Sequence, residues 1–231
     1  YNPLEPLGFR EDGTCCQGQH RLWAVVKSGT TQHFDVRRNV NDALFTVIDT
    51  GKMRAGSDVL AIAGETCTVQ LTAALKWIER ERRARVRAKA GGDYRLGDRD
   101  QIENATLLTL LQEHPGIRDS VRRAWMVSPV RLILPSVLVW VHYRAHRIDP
   151  EWCEQYFNDF GYGVDLSKDS PALAVRNWGL NNLASTRRPT AETVAAVVIK
   201  GWNRSYTKKP WKMARWASEQ EPFPKMEGEE W

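Results

Sequence analysis

Apolar positions recur with a helical period over most of the chain. Their spacing predicts one long helix from Thr68 to Ala88. Farther along, the same period predicts six more helices, near residues 101–113, 116–125, 133–147, 150–159, 171–184 and 190–206. Prolines stand at or near three of these helix starts, where a missing N–H is tolerated: Pro150, Pro171 and Pro189. The pattern therefore indicates a large, mainly helical region.

Shorter elements precede this region. Residues 1–13 contain two prolines and two glycines and suggest an extended lead-in. Residues 14–36 follow the order strand, turn, helix, strand, with Ser28-Gly29 ending the helix. Val40 to Ile48 has helical spacing, and a short helix should run from Ser57 or Asp58 to about Ala63. The N-terminal part is thus expected to contain a small sheet with helices.

The turn after the first strand carries the polar sequence Gln17-Gly18-Gln19-His20-Arg21, called the box below. A helix N-terminus has unpaired backbone N–H groups and a partial positive charge, so it attracts phosphate. Arg21 and His20 would strengthen that attraction. Taken alone, these residues are compatible with a phosphate cradle, but they favour a helix that simply begins on polar residues.

A second polar segment suits the same chemistry. A glycine permits a sharp turn there, and two cations stand beside it; the candidate phosphate-binding residues are Asp49, Thr50, Gly51, Lys52 and Arg54. The Gly-x-x-x-x-Gly-Lys spacing of a P-loop is absent. In isolation the segment would be an ordinary turn, but beside the box it becomes a second phosphate contact.

Charge and composition leave several partners open. The chain of 231 residues has 33 Lys and Arg against 28 Asp and Glu, and its pI is about 9.1. This modest excess permits nucleic-acid binding without requiring it. The basic end of the long predicted helix could lie along a nucleic-acid backbone through Arg80, Arg83 and Arg87, or could be a solvated helix end with pairs such as Glu81 and Arg85.

Metal binding and a membrane segment are not expected. His142 and His146 share a helix face, but no glutamate stands between them as in a metalloprotease motif, and we expect no metal site. No secretory or membrane-spanning run is present.

The cysteines lack a Cys-x-x-Cys spacing and suggest free thiols in a cytoplasmic protein. Most of the ten tryptophans should fill the core, and some could stack on bases.

The sequence Gly-Gln-His-Arg-Leu-x-Ala-x-x-x-Ser-Gly, which begins at Gly18, resembles the signature of the ParB/sulfiredoxin-like superfamily. The continuation through the segment at 49–54 is most similar to the small ParB-like proteins of bacteriophages and actinobacterial mobile elements. A late stretch, residues 196–203, resembles a helix of the same branch. The resemblance implies an α+β fold: a small ParB/sulfiredoxin-like mixed sheet with helices, followed by a mostly α-helical bundle.

On this basis we divide the chain into a motif-bearing region, residues 1–66, and a helical region, residues 67–231, which can also pack together as one domain. The resemblance implies that a nucleotide or nucleic-acid phosphate binds at Gly18, Gln19, His20 and Arg21, with Lys52 and Arg54 assisting. It implies a nucleoside triphosphate with magnesium as cofactor, DNA as a partner and no membrane partner. A homodimer remains open. If the protein is phage-encoded, its location is the cytoplasm of the bacterial host.

Two alternative functions are also compatible with the sequence. One is an enzyme, either a nucleotide-dependent kinase or a nuclease acting on DNA, whose catalytic residues are unknown. Gln19 stands where sulfiredoxins carry a cysteine and ParB segregation proteins a glutamate, and an amide cannot act as a base. Acidic candidates near the box in sequence are Asp12, Asp35 and Asp49. The other alternative is a non-catalytic interaction module that keeps the fold.

Overall fold

A computed structural model describes residues 6–40, 55–94, 96, 102–127, 133–183 and 188–230. The chain forms two compact units, Tyr1–Val59 and Leu60–Trp231. The protein is α+β, with a small mixed sheet in the first unit and helices in both. The helix expected over Val40–Ile48 falls almost entirely outside the described residues.

The sheet of the first unit has three short strands, β1 (Leu7–Phe9), β2 (Cys15–Gln17) and β3 (Val36–Arg37). Strand β1 lies in the middle, antiparallel to β2 and parallel to β3. Strand β1 lies within the extended lead-in predicted over residues 1–13, although its pairing in the sheet was not predicted. A three-residue strand has too few positions to show alternation, and pairing on both sides stabilises it.

Local turn chemistry shapes the β1–β2 hairpin. The Asp12 carboxylate accepts a hydrogen bond from the Thr14 N–H at 2.8 Å, and Gly13 has a φ of +83°. The hydrogen bond to Thr14 lowers the pKa of Asp12. Helix α1 (Gln19–Ser28) follows β2, and Gly29 ends it in a left-handed conformation. Helix α2 (Gly56–Ile62) comes next in the described chain.

The second unit contains seven further helices among its described residues: α3 (Thr68–Lys89), α4 (Asn104–Glu113), α5 (Ile117–Val127), α6 (Pro135–Ile148), α7 (Pro150–Tyr162), α8 (Pro171–Leu183) and α9 (Ala191–Tyr206). These bounds confirm the helices predicted from periodicity to within three residues. Side-chain caps start three of them: Asp149 accepts the Trp152 N–H, Ser170 accepts the Leu173 N–H, and Thr190 accepts the Thr193 N–H.

Helix α6 is the centre of the bundle. It packs against α3, α5, α7 and α9, and every side chain from Val137 to Ala145 is buried. A helix buried on all faces must place any charge it carries inside the protein, where a partner is required. Beyond α9, residues 207–230 form neither helix nor strand and return along the bundle, where Trp211, Phe223 and Met226 are buried.

Candidate functional site

Gly18 makes the bend between β2 and α1. Its φ is +92° and its ψ is 12°, a left-handed conformation that glycine adopts without penalty. A Cβ at this position would lie 2.2 Å from Cδ2 of Leu7 and 3.2 Å from Nη2 of Arg21. The bend therefore requires glycine both for its backbone angles and for space, and the strand, turn and helix start predicted for the box are confirmed.

The helix that follows the bend begins without compensation for its positive end. No side chain caps this N-terminus, and the first turn of α1 contains no acidic residue. The N–H groups of Arg21 and Leu22 donate to the Gly18 carbonyl at 3.0 and 3.1 Å, so regular helical bonding begins at the glycine itself. A helix start of this kind favours a negatively charged ligand.

The side chains of the box differ in their surroundings. Arg21 is half-buried, and its Nη2 donates to the Pro6 carbonyl at 3.2 Å, which holds the guanidinium beside the bend. Gln19 donates from Nε2 to the Cys15 carbonyl at 2.8 Å, so one N–H of its amide is engaged within the unit. His20 is exposed. The structure thus brings a guanidinium, an imidazole and an uncapped helix start together at one corner.

The second phosphate segment cannot be compared with the box. Its five candidate residues, Asp49, Thr50, Gly51, Lys52 and Arg54, lie outside the described residues. The described part of the candidate site therefore consists of Gly18, Gln19, His20 and Arg21.

The arginines of the candidate nucleic-acid ridge on α3 have partners nearby. Arg83 Nε donates to Glu79 at 2.8 Å, and the Arg80 guanidinium lies 5.2 Å from the centre of the Trp77 ring. Arg87 lines a cleft of about 1290 Å³ that reaches Lys200 and Phe223. Pairing within the helix lowers the net charge that this ridge presents to a nucleic acid.

Sequence reasoning missed a buried ionic network in the second unit. Arg144 of α6 is 3% exposed and lies 2.6 Å from Glu229 and 3.1 Å from Glu81. Arg85 contacts the same two carboxylates, and Trp140 Nε1 donates to Glu81 at 3.0 Å. Burial alone would raise the pKa of Glu229, but hydrogen bonds and charge from Arg144 and Arg85 lower it. The available signal was an arginine within the mainly apolar stretch Val137–Ala145 of α6.

His142 belongs to a second buried cluster. Its Nδ1 lies 3.1 Å from Ser120 Oγ and its Nε2 lies 3.5 Å from Glu154, while the ring stacks on His146. Ser120 is only 3% exposed, so this serine, histidine and glutamate cannot meet a substrate as a catalytic triad would. Over the described ranges, no three His, Cys, Asp or Glu side chains group as metal ligands would.

No protein-family model, curated protein or solved structure matches this chain. In the part of the chain that the structure describes, every helix is too short or too polar to cross a membrane.

Proposed function

We propose that the first unit is a ParB-like module that binds the phosphates of a nucleotide or a nucleic acid at the box. The observation that carries the proposal is the left-handed Gly18 bend, which opens an uncapped helix beside the Arg21 guanidinium. Backbone N–H groups and a guanidinium at one helix start form charge-assisted hydrogen bonds with phosphate oxygens.

The sequence resemblance supports the same assignment and extends it. In the resembled proteins a similar box at a helix start holds nucleotide phosphates. Lys52 and Arg54 would add two cations from the neighbouring segment. A nucleoside triphosphate with magnesium would be the cofactor, and the protein would act in DNA binding or DNA metabolism of a phage or mobile element.

The proposal is tested by thermal shift with ATP, ADP, CTP and GTP, each with and without magnesium. A ligand that binds only the folded protein raises the unfolding temperature in proportion to the logarithm of its concentration. We expect Arg21→Ala to weaken nucleotide binding about tenfold or more, because a charge-assisted hydrogen bond is lost. His20→Ala, at an exposed position, should weaken binding with little effect on folding.

Lys27→Ala is the matched control, since Lys27 is an exposed cation in the last turn of the same helix. Equal losses for Arg21→Ala and Lys27→Ala would remove the box from consideration. Arg85, although also a cation, is unsuitable as a control because it pairs with Glu81 and Glu229 in the second unit. Analysis for released phosphate or phosphorylated DNA then separates a binding protein from a kinase or nuclease.

The second candidate is a non-catalytic interaction module, and the surface of α1 favours it. Trp23 is 64% exposed and Val26 is 72% exposed. Because they stand three residues apart, they share a helix face. An apolar face of this kind suits a protein partner or a second copy of the chain. A folded protein that shows no shift with any nucleotide would favour this candidate.

A further inference from the structure

Most of α9 and the residues just after it carry basic side chains and no acidic ones. Six of the 33 Lys and Arg residues lie within residues 193–218, and none of the 28 Asp and Glu residues does. The rest of the chain, with 27 basic and 28 acidic residues, is close to neutral. Residues 193–218 therefore form one uninterrupted basic stretch, bounded by Glu192 and Glu219.

The C-terminal turn of α9 brings several of these cations close together. Lys208 has a φ of +54°, and its N–H donates to the Ser205 carbonyl while the Lys209 N–H donates to the Arg204 carbonyl. This is the double hydrogen bond of a Schellman ending, and Pro210 follows it. The turn places Arg204, Lys208 and Lys209 at the same end of the helix.

The chain then folds back beside α9. The Trp211 N–H donates to the Asp169 carbonyl, and the Trp211 ring centre lies 5.6 Å from the Arg204 guanidinium and 5.8 Å from Nζ of Lys200. A cleft of about 620 Å³ opens there; its lining includes three cations, two tryptophans and one carboxylate: Lys200, Arg204, Arg215, Trp211, Trp216 and Glu221. The tryptophan is buried and fixes the backbone that carries the neighbouring cations.

Few carboxylates neutralise this surface. Lys200 is held by Glu221 at 2.7 Å, and exposed Lys212 has only a long contact of 3.8 Å with Asp169. Lys209 and Arg215 are exposed and form no ion pair with any described residue. We use the name basic segment for Arg204, Lys208, Lys209, Lys212 and Arg215.

We propose that the basic segment binds the phosphate backbone of DNA. A row of mainly exposed cations with few carboxylate partners attracts phosphates by releasing their counterions, without reading base sequence. A membrane surface fits less well, because residues 207–216 are not helical and Trp211 is buried rather than available for insertion. The surface uses no residue of the box and stands whether or not the box binds nucleotide.

The test measures fluorescence anisotropy of a short labelled duplex DNA of mixed sequence with the full chain over a series of salt concentrations. The test variant combines Lys209→Gln and Lys212→Gln. The control variant combines Lys27→Gln and Lys89→Gln, two exposed lysines outside the basic segment, so both variants lose the same charge. Lys208 is left unchanged because of its left-handed backbone.

We expect the test variant to bind about tenfold more weakly at low salt, with a log–log salt slope shallower by up to about 1.8, at about 0.9 per phosphate contact. The control variant should bind within about twofold of the unaltered chain. Unchanged circular dichroism and melting temperature would show that both variants fold. Nucleotide binding by the test variant, measured by thermal shift, should equal that of the unaltered chain, so failure of the box and failure of the basic segment give different results.

Three results would overturn the proposal. The first is the absence of DNA binding by the unaltered chain at low salt. The second is an equal loss in the test and control variants, which would attribute binding to overall charge alone. The third is binding to vesicles containing anionic lipid, lost in the test variant, without binding to duplex DNA, which would assign the basic segment to a membrane surface.

Discussion

The imidazole of His142 is enclosed by side chains from three helices. Ser120 of α5 and Glu154 of α7 contact its two nitrogens, and the Phe157 ring packs edge-on at 4.9 Å. Burial lowers the pKa of His142 from 6.5 to about 4, against the opposing charge of Glu154. The folded protein therefore keeps this imidazole neutral at pH values where the unfolded chain protonates it.

We accordingly predict that the free energy of unfolding decreases as the pH falls from about 6.5 to about 4. Between pH 6.5 and about 4 the imidazole is protonated in the unfolded state but largely neutral in the folded state. Below about pH 4 it is protonated in both states, so no further stability is lost. The loss from His142 should reach roughly 3 kcal/mol. Urea unfolding at a series of pH values measures it.

His142→Gln is the control, because glutamine keeps hydrogen-bonding groups but does not titrate in this range. Carboxylates and His114, whose pKa burial also lowers, titrate in both proteins, so the difference between the two pH profiles isolates His142. Parallel profiles for the two proteins between pH 4 and 6.5 would contradict the assignment.

At the level of single residues, the sequence predicts burial better than exposure. Most of the tryptophans were expected in the core, and among the described ones four are buried and three are partly buried: Trp77, Trp140, Trp202 and Trp211, then Trp152, Trp178 and Trp216. Trp23 has the same helical context but is exposed, because a helical pattern shows which residues share a face and not whether another element covers it. The glycine bend of the box was likewise predictable, since glycine and the helix start are local signals; its phosphate role stays a prediction.

Among the helices, the bounds were predictable because their signals are local. Apolar spacing, prolines in the first turn and caps such as Asp149 and Thr190 all lie within a few residues of the ends they define. The pairing of charges was only partly predictable. Glu81 and Arg85 pair four residues apart, as expected, but the same two residues also take part in the network with Arg144, which periodicity does not reveal.

The end of α9 supplies a prediction about an element boundary. Lys208 occupies the left-handed position of the Schellman ending, where glycine is usual and a side chain is strained. We predict that Lys208→Gly raises the free energy of unfolding by about 1 kcal/mol, through relief of that strain. Chemical denaturation of the variant and the unaltered chain measures the difference.

Lys209→Gly is the matched control for this prediction. Lys209 is the next residue and is equally exposed, but it does not have a positive φ. Glycine there gains no relief of strain and increases the entropy of the unfolded chain, so stability should fall or stay the same. A gain of equal size in both variants would show that the loss of charge, rather than backbone strain, is responsible.

On the scale of the whole second unit, the segment after α9 is held by contacts that span long stretches of sequence. Glu229 pairs with Arg144 and Arg85, Trp202 donates to the Glu227 carbonyl, and Asn203 bonds to the backbone of Lys225 and Glu227. This arrangement could not be predicted from the sequence, because the segment has no periodicity and its partners are elsewhere in the chain. Tertiary contacts alone define its path.

Glu229 should therefore contribute strongly to stability. Glu229→Gln removes a negative charge that faces Arg144 and Arg85 and leaves Glu81 as the carboxylate shared by both guanidinium groups. A buried charge that loses its partner destabilises a protein by several kcal/mol, and we predict a loss of about 3 kcal/mol in urea unfolding. Glu230→Gln is the control: its side chain is exposed and only its carbonyl contacts Arg85, so the change should stay within about 0.5 kcal/mol.

In a double-mutant cycle, Arg144→Met combined with Glu229→Gln should cost less than the sum of the single changes, because removing both charges leaves neither unpaired. Additive losses would mean that the two side chains stabilise the protein independently and that the end of the chain is held by other contacts.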